Sequence, residues 1–468
     1  MLIEQIYTGC LAQGAYYIES EGEAAIIDPL RESAPYIKKA EANGASIKYV
    51  FETHFHADFV SGHVELAEKT GADIVFGPTA ETGFTSITAK DNQEFKIGNI
   101  TIIALHTPGH TMESTTYLLR DENGKDHCIF SGDTLFIGDV GRPDLAVKSN
   151  LTKEDLAGYL YDSLRQRIMP LADDVIVYPA HGAGSACGKN MSSETFDTLG
   201  NQRASNYALQ EDLSREGFIK EVTEGILPPP QYFPKNALLN KQGLPSTDGM
   251  KTAGLKELSV SEFEFLANEE GALMLDTRSE DAFVEEHVPN SIFIGLDGTF
   301  ASWVGTLISD IQQAIIFISE PGKEEEVVTR LARVGYDNVL GYLGGGIAGW
   351  KEAGKELSSI EHMTATQLEK TYSSIAQNIV DVRKPGEYAA EHIEAAENIP
   401  LDFLNSEMQQ FNRTDKYYLH CKSGYRSVIA SSILQSRGIQ IVNIDGGFEA
   451  IKQSKTPVSD FSCQQNVQ

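Results

Sequence analysis

The sequence predicts an α/β protein of several domains, and three observations support this prediction. The chain has 468 residues, a length that favours about two to four domains. In the first half, short β-branched runs alternate with helical segments, and four of these runs end in loops with histidine or aspartate. In the second half, a pattern of roughly 100 residues occurs twice. Strands that alternate with helices are typical of mainly parallel sheets.

Composition and charge narrow the classes of partner. The chain has 38 Lys and Arg residues against 67 Asp and Glu residues, a net charge of −29 at pH 7. This balance argues against nucleic acid as a partner, because phosphate binding requires a basic surface. No apolar run approaches the roughly 18 residues of a membrane span, and no basic signal segment is visible. The five cysteines lack the spacing of a disulfide framework. We therefore expect a cytoplasmic protein without a membrane partner.

The strongest chemical motif follows the first of the four strands. The apolar run Ile47–Phe51 predicts a buried strand, and His54, His56 and Asp58 come directly after it. Two imidazoles and a carboxylate at alternate positions of a strand end are typical of the start of a metal site. The alternative is a polar loop with chance histidines.

The same arrangement recurs after three later strands. Loops at one edge of a sheet can converge on a single cation. Four such loops in order therefore favour a metal centre over chance. The residues and the strands that they follow are His110 after 100–105, Asp133 after 129–130 and His181 after 175–178.

These loops together resemble the metallo-β-lactamase superfamily over roughly the first half of the chain. The resemblance implies an αββα sandwich, two mixed β-sheets with helices outside and metal at the sheet edges. The binuclear pattern of that superfamily, His-x-His-x-Asp-His, has Phe59 in its last place here. A phenyl ring cannot bind a metal. The intact set is His54, His110 and Asp133, which suits one ferrous iron with open coordination positions.

Five further residues are candidates for roles beside this set. His56 and Asp58 are interpreted as residues that orient the ligands and relay protons. His181 is a vestigial second-site ligand, a proton relay or a hydrogen-bonded loop histidine. Arg142 is a candidate for binding a substrate carboxylate or phosphate, with a structural ion pair as the alternative. Cys187 lies either near the metal, as a substrate contact, or simply in the core.

The second half of the chain contains an internal repeat whose copies differ at one strand end. Asp276 and Arg278 in the first copy match Asp381 and Arg383 in the second, 105 residues later. In the second copy a predicted strand ends at Cys421. The first copy has an acidic loop that begins at Glu320 in the corresponding place. A carboxylate therefore replaces the thiol in the first copy.

The loop that begins at Cys421 favours a reactive thiol. Inward-pointing N–H groups, the positive end of the helix that follows, and the cations of Lys422 and Arg426 would all stabilise a thiolate. The alternative is a half-buried core cysteine. This loop, together with Asp381 and Arg383, resembles the rhodanese (sulfurtransferase) family. The resemblance implies that Cys421, Lys422 and Arg426 are catalytic.

The sequence also predicts where the domains begin and end. Residues 227–230, Leu-Pro-Pro-Pro, can be neither helix nor central strand and predict a linker. Residues 192–217 predict one helix that closes the first domain. The predicted divisions are 1–225 for the metallo-β-lactamase-like domain, 226–250 for the linker, 251–357 for a rhodanese-homology domain without its nucleophile, and 358–460 for the rhodanese domain with Cys421. Because Glu320 cannot carry sulfane sulfur, we expect the domain without the nucleophile to have a structural role.

A metallo-β-lactamase-like domain joined to rhodanese domains resembles the persulfide dioxygenase–rhodanese fusions. The resemblance implies one Fe(II) per chain and oxidation of a low-molecular-weight thiol persulfide by O2 to sulfite and thiol. It further implies sulfur transfer with sulfite or thiosulfate through a Cys421 persulfide, and we expect a homo-oligomer. Two alternatives stay open: a glyoxalase II-like binuclear thioester hydrolase with a sulfurtransferase domain, and a sulfur carrier whose first domain is inert.

Overall fold

The structure, a computed structural model, describes residues 1–147, 150–189 and 191–459. Cys463 and residue 460, where we predict the last domain to end, lie outside the described residues. No helix within the described ranges is both long and apolar enough to cross a membrane. The chain divides into two units, one of Met1–Gly249 with Leu331–Gly335 and one of Met250–Arg330 with the residues from Tyr336 onward.

Two six-stranded sheets form the centre of the first unit. The first contains, in this order, β1 (Leu2–Thr8), β2 (Gln13–Ser20), β3 (Glu23–Ile27), β4 (Ser46–Phe51), β5 (Asp73–Phe76) and β6 (Ile87–Thr88). The second contains β7 (Glu94–Ile97), β8 (Ile100–His106), β9 (Thr115–Arg120), β10 (Asp126–Gly132), β11 (Ile176–Pro179) and β12 (Asp197–Thr198). Both sheets mix parallel and antiparallel pairs, as expected.

Helices cover the outer faces of both sheets. The helices of the first sheet are α1 (Ala34–Asn43) and α2 (His63–Thr70). Those of the second are α3 (Lys153–Ser163), which continues as a π-helical turn at Leu164–Ile168, α4 (Leu199–Ser205) and α5 (Arg215–Thr223). Two helices follow along the chain, α6 (Phe233–Gln242) and α7 (Asp248–Gly254).

The two sheets pack face to face because their strands are apolar on both faces. Tyr16 of β2 lies in one buried cluster with Tyr117 and Phe130 of the second sheet. Successive side chains of a strand point to opposite faces. Tyr17 therefore joins a different cluster, with Tyr36 of α1. The expected αββα sandwich is confirmed, with one core between the sheets and another beneath the helices.

Strand direction brings the predicted loops to one edge of the second sheet. β9 is antiparallel to both β8 and β10, and β11 is parallel to β10. β8, β10 and β11 therefore run the same way, and their carboxyl ends meet at the same edge. The loops that carry His110, Asp133 and His181 begin there, and β4 of the facing sheet ends just before His54.

The prediction of one helix over residues 192–217 is wrong. β12, α4, a 3₁₀ turn at Tyr207–Leu209 and the start of α5 occupy this segment. The reason is local capping, because three side chains accept hydrogen bonds from the backbone N–H groups of the next helical turn. These caps are Thr198, Asn206 and Ser214.

The segment predicted as a linker has an irregular start and a helical end. Residues 226–230 form no helix or strand, as their three prolines require. α6 then follows within the first unit. The buried side chain of Asn240 donates to the backbone oxygens of His56 at 2.8 Å and Phe59 at 2.7 Å. This part of the segment therefore holds the loop after β4 and is not a free connection.

Two five-stranded parallel sheets form the second unit. The first contains β13 (Glu257–Leu258), β14 (Leu273–Asp276), β15 (Ile292–Phe293), β16 (Ile315–Ile318) and β17 (Val339–Leu343), in the order β13-β17-β16-β14-β15. The second contains β18 (His362–Met363), β19 (Ile379–Asp381), β20 (Glu397–Asn398), β21 (Lys416–His420) and β22 (Gln440–Ile444), in the order β18-β22-β21-β19-β20. The two orders are equivalent, which confirms the internal repeat.

Helices separate the strands in both copies. In the first copy they are α8 (Val260–Asn268), α9 (Glu280–Glu285), α10 (Phe300–Leu307), α11 (Glu324–Ala332) and α12 (Gly346–Glu352). In the second they are α13 (Ala365–Ile375), α14 (Pro385–Ala390), α15 (Tyr425–Ser436) and α16 (Gly447–Ile451), with short 3₁₀ turns at Ala376–Asn378, Leu401–Phe403 and Met408–Gln410.

The repeated Asp-x-Arg motif forms the same buried ion pair in both copies. Arg278 pairs with Asp276 at 2.8 Å, and Arg383 pairs with Asp381 at 2.6 Å. Each guanidinium also donates to a backbone oxygen after the next helix, at 2.8 Å in both cases. The motif therefore ties a strand end to the helix that follows it.

We predict that Leu160→Ala lowers the free energy of unfolding of the first unit by about 2–5 kcal/mol, because Leu160 is fully buried between α3 and the second sheet. The neighbouring exposed Tyr159 provides the control. Tyr159→Ala should change the free energy of unfolding by less than about 0.5 kcal/mol. Hydrogen exchange of peptides from β8 to β11 in urea measures both. Equal protection in the two variants would contradict this packing.

Candidate functional site

The three predicted metal ligands lie together at the sheet edge. His54 Nε2 is 3.9 Å from Asp133 Oδ2, and His110 Nε2 is 3.4 Å from the same oxygen. One ligand atom from each residue lies within 4.8 Å of the other two, and all three side chains are buried. Two imidazole nitrogens and a carboxylate oxygen that face one point can hold a divalent cation.

Hydrogen bonds fix which nitrogen of His54 faces that point. The Thr53 hydroxyl donates to Asp28 Oδ2 at 2.8 Å, and so its oxygen accepts from His54 Nδ1–H at 3.0 Å. Nε2 then carries the lone pair. Burial, with the neighbouring His56, lowers the pKa of His54 well below its ordinary value. His54 is therefore neutral, the form that binds a metal.

A backbone oxygen orients His110 in the same way. His110 Nδ1–H donates to the carbonyl of Arg142 at 2.8 Å, which leaves Nε2 toward the cluster. The Arg142 guanidinium forms two bonds to Asp144, at 2.6 and 2.7 Å. It also donates to the carbonyls of Ala186 and Leu227. Arg142 thus forms an ion pair within the protein and supports the loop that orients His110.

The two oxygens of the Asp133 carboxylate have different surroundings. Oδ1 accepts from His181 Nδ1 at 2.7 Å, whereas Oδ2 is buried without a hydrogen-bond partner. Burial opposes the charge, but the imidazoles of His181, His54 and His110 outweigh burial and lower the pKa of Asp133. A buried, ionised oxygen without a donor is costly unless a cation lies against it. This oxygen faces His54 and His110, and the residues present therefore fit a metal ion.

A second group of ligand-type side chains adjoins the first. His56, Asp58 and His181 bring one ligand atom each within 4.8 Å of one another, and all are buried. His181 lies between two carboxylates, with Nε2 2.8 Å from Asp58 Oδ2 and Nδ1 bonded to Asp133. Burial disfavours the charged ring, yet the two carboxylates raise the pKa of His181 well above its ordinary value.

Phe59 and His56 set the character of this second group. The Phe59 ring is fully buried, with its centroid 4.4 Å from that of His56. His56 Nε2 points toward Asp28 Oδ1 at 3.1 Å and Glu52 Oε2 at 3.6 Å. The second group therefore presents an apolar ring where the binuclear pattern has a ligand, and one of its imidazoles turns toward other carboxylates.

Cys187 is the predicted substrate candidate that lies closest to the centre. Its sulfur lies within 4.8 Å of ligand atoms of Asp133 and His181, and the residue is buried. Burial raises the pKa of Cys187 well above its ordinary value, and the carboxylates of Asp58 and Asp133 raise it further. Cys187 is therefore a protonated thiol beside the cluster.

The predicted reactive loop of the second unit encloses Cys421. This residue is buried at the end of β21, and its Sγ accepts from the Gly424 N–H at 3.1 Å. Gly424 has a φ of 135°, a left-handed conformation that glycine adopts readily. The loop thus turns at least one N–H toward the sulfur just before α15 begins, as the sequence predicts.

The two predicted cations lie beside this loop with acidic partners. Arg426 forms two bonds to Glu387, at 2.6 and 2.8 Å. Burial opposes ionisation of Glu387, but Arg426 outweighs it and lowers the pKa of that carboxyl. Lys422 is exposed, with its Nζ 3.7 Å from Glu449. In the other copy, Glu320 is exposed at the corresponding strand end.

Comparison with known proteins matches both the part of the chain with the metal-ligand cluster and the part with the Cys421 loop. The model of the metallo-beta-lactamase superfamily matches residues 8–181, and the model of the rhodanese-like domain matches residues 259–353 and 364–454. A probable hydroxyacylglutathione hydrolase of Schizosaccharomyces pombe is 30% identical over 188 residues, which is 39% of this chain and 69% of that protein. The chain belongs to the metallo-beta-lactamase superfamily.

Two further relatives of this superfamily protein show how far the similarity extends. The cytoplasmic hydroxyacylglutathione hydrolase of Arabidopsis thaliana is 31% identical over 177 residues, 37% of this chain and 65% of that protein. A crystal structure of a metallo-beta-lactamase from Staphylococcus aureus is 31% identical with a TM-score of 0.65, over 73% of this chain and 98% of that one. The curated hydrolases thus match over about two thirds of their own length, whereas the crystal structure extends beyond the superfamily domain.

Several residues that support the cluster of His54, His110 and Asp133 were not predicted from the sequence. Asp28 binds the Thr53 backbone N–H at 2.7 Å as well as its hydroxyl, and thereby fixes the residue before His54. Glu52 contacts His63 Nδ1 at 3.3 Å and accepts from Ser61 at 2.5 Å. The available signal was Asp28 itself, a carboxylate directly after an apolar strand, in the same position as the ligands in the other loops.

We predict that Thr53→Val lowers the metal affinity of the centre by about 10- to 100-fold, because it removes the hydroxyl that orients His54 while keeping the side-chain shape. Thr116→Val is the matched control, since Thr116 is equally buried and its hydroxyl bonds to Thr107 and not to a ligand side chain. Competition with a chelator measures both affinities. A Thr53→Val affinity equal to that of the wild type would show that this bond does not orient His54.

Proposed function

We propose that the chain is a non-haem Fe(II) persulfide dioxygenase that is coupled to a sulfurtransferase acting through Cys421. In the balanced reaction, R–S–SH, O2 and water give R–SH, sulfite and two protons. The observation that carries the proposal is the site of His54, His110 and Asp133 beside Phe59, in a chain with one cysteine-bearing rhodanese loop. This set suits one metal, and the second domain type handles sulfane sulfur.

The residues of the centre have distinct parts in this proposal. Ferrous iron, when bound, supplies the electron-transfer chemistry with O2 that side chains lack. A divalent ion held by two imidazole nitrogens, of His54 and His110, and by the single carboxylate of Asp133 leaves a local charge of about +1. This charge favours a persulfide anion despite the acidic surface. Buried Phe59 supports the choice of one ion over two.

The second reaction is sulfur transfer at Cys421. A Cys421 persulfide loses its outer sulfur to sulfite, which breaks the S–S bond and gives thiosulfate and the Cys421 thiolate. The reverse reaction loads Cys421 from thiosulfate, and a free thiol then removes the sulfur to feed the iron. Either direction requires the N–H of Gly424 at Sγ and an anion contact near Lys422 or Arg426. The two sites then share substrates without sharing residues.

A second candidate function is thioester hydrolysis, because the curated relatives named above are hydroxyacylglutathione hydrolases. A binuclear hydrolase needs a second metal beside the first. Here the second group has the apolar ring of Phe59 in one ligand place. The missing ligand favours the dioxygenase over the hydrolase.

We predict oxygen uptake by the Fe(II)-loaded chain with glutathione, coenzyme A or bacillithiol persulfide, and no hydrolysis of S-lactoylglutathione. An oxygen electrode and a thioester absorbance assay measure the two activities. Asp133→Ala should abolish uptake, because it removes the charged ligand. Asp91→Ala is the control at an exposed carboxylate. Thioester hydrolysis without oxygen uptake would contradict the dioxygenase function and support the hydrolase function.

We also predict that Cys421→Ser leaves oxygen uptake with preformed persulfide unchanged and abolishes the thiosulfate-linked reaction. The physical reason is that hydroxyl oxygen cannot carry sulfane sulfur, whereas the iron site contains no part of this loop. Cys10→Ser is the matched control at a cysteine outside both sites. Chromatography of sulfite and thiosulfate measures the products. Loss of oxygen uptake in Cys421→Ser would mean that all sulfur passes through Cys421.

A further inference from the structure

The helix that follows Cys421 is buried on every side. Residues 427–434 of α15 are all buried, although a helix on the surface of a domain normally exposes one polar face. Its own sheet covers one side through β21 and β22. The opposite side packs on β15, an edge strand of the rhodanese-like domain that has Glu320 in place of cysteine. The inactive domain therefore completes the surroundings of α15.

Three polar contacts join α15 to that domain. The Phe293 N–H of β15 donates to Ser432 Oγ at 3.0 Å, which satisfies an edge-strand donor with a side chain of the helix. His287 Nε2 lies 3.2 Å from Gln435 Oε1. The Tyr425 hydroxyl donates to the backbone oxygen of Gly295 at 2.7 Å. These contacts fix the helix along its whole length, from the first residue to the last turn.

Tyr425 is the contact nearest to the sulfur. It is the first residue of α15, and it follows Gly424, whose N–H binds Cys421 Sγ at 3.1 Å. Its ring fits against Gly298, where an added Cβ would lie 2.3 Å from Cζ. Phe293 contacts the other part of the ring, with centroids 5.8 Å apart. The fit requires a residue without a side chain at 298.

The loop that receives Tyr425 is itself held in place. Arg330 donates to the backbone oxygen of Leu296 at 2.6 Å and pairs with Glu326 on α11. The Leu296 N–H also donates to the backbone oxygen of Thr277 at 3.1 Å. Further along the chain, Asn405 of the Cys421 domain donates to the backbone oxygen of Leu307, the last residue of α10, at 2.8 Å. Residues 295–298 therefore form a fixed seat for the aromatic ring.

We propose that the inactive rhodanese-like domain positions the Cys421 loop, with Tyr425 as the positioning residue and Gly295–Gly298 as its seat. This rests on the proposed sulfurtransferase function of Cys421. Displacement of the ring moves the first turn of α15, and with it the Gly424 N–H that binds the sulfur. The domain that lost its nucleophile thereby keeps a role in the reaction of its neighbour.

The test compares two variants of the full chain with a control of the same chemistry. Tyr425→Phe removes the hydroxyl bond to Gly295, and Gly298→Ala places a methyl group in the seat. Tyr336→Phe is the control, since its hydroxyl donates to Ile308 within the inactive domain. Thiocyanate formation from thiosulfate and cyanide gives kcat and KM. Mass spectrometry of the Cys421 peptide after timed iodoacetamide treatment gives the thiol reactivity.

We expect Tyr425→Phe to lower both kcat and the alkylation rate about fivefold, the effect of one lost hydrogen bond, and Gly298→Ala to lower them further. KM for thiosulfate, the thermal unfolding midpoint relative to Tyr336→Phe, and oxygen uptake should stay unchanged. Unaltered kcat and alkylation in both variants would overturn the proposal. If the wild type forms no thiocyanate, the sulfurtransferase proposal fails, and the alkylation rates still decide whether the seat positions Cys421.

Discussion

The candidate metal centre of the first unit depends on one buried carboxylate. Asp133 is ionised at the end of β10, where Oδ1 accepts from His181 and Oδ2 faces the Nε2 atoms of His54 and His110. A buried carboxylate with one unpaired oxygen is costly unless a cation lies against that oxygen. The strand ends, the Thr53 hydroxyl and the Arg142 carbonyl all serve to direct neutral nitrogens toward that point. Removal of this one carboxylate would leave the two converging imidazole nitrogens without a charged ligand beside them.

Local sequence was sufficient for the strands that carry these groups. The apolar runs before His54, His110, Asp133 and His181 each form a strand, as predicted. Short continuous apolar runs are typical of strands that are covered on both faces, as the strands of this sandwich are. The repeat of the second half, likewise, followed from matched positions in two copies. Residues 192–217 differed because Thr198 and Asn206 cap new helical turns, an effect of side-chain geometry that a helical pattern does not reveal.

The surroundings of the site were harder to predict, since they depend on contacts between distant parts of the chain. Asn240, in a segment that reads as a linker, binds the backbone at His56 and Phe59. Arg142 pairs with Asp144 and also donates to the backbone oxygen of Leu227, 85 residues further along the chain. In the second unit, the Cys421 loop was visible in the sequence. The contact between Tyr425 of this loop and Gly295 could not be predicted, because the sequence of neither copy indicates which surfaces of the two domains pack together.

Metal stoichiometry decides whether the centre holds one metal ion or two. Chelator-treated protein would be reloaded with Fe(II) without oxygen, and the bound metal counted by mass spectrometry against protein concentration. We expect one ion per chain in the wild type, loss of that ion in Asp133→Ala, and a rise toward two ions in Phe59→His. Two tightly bound ions per wild-type chain would contradict this expectation.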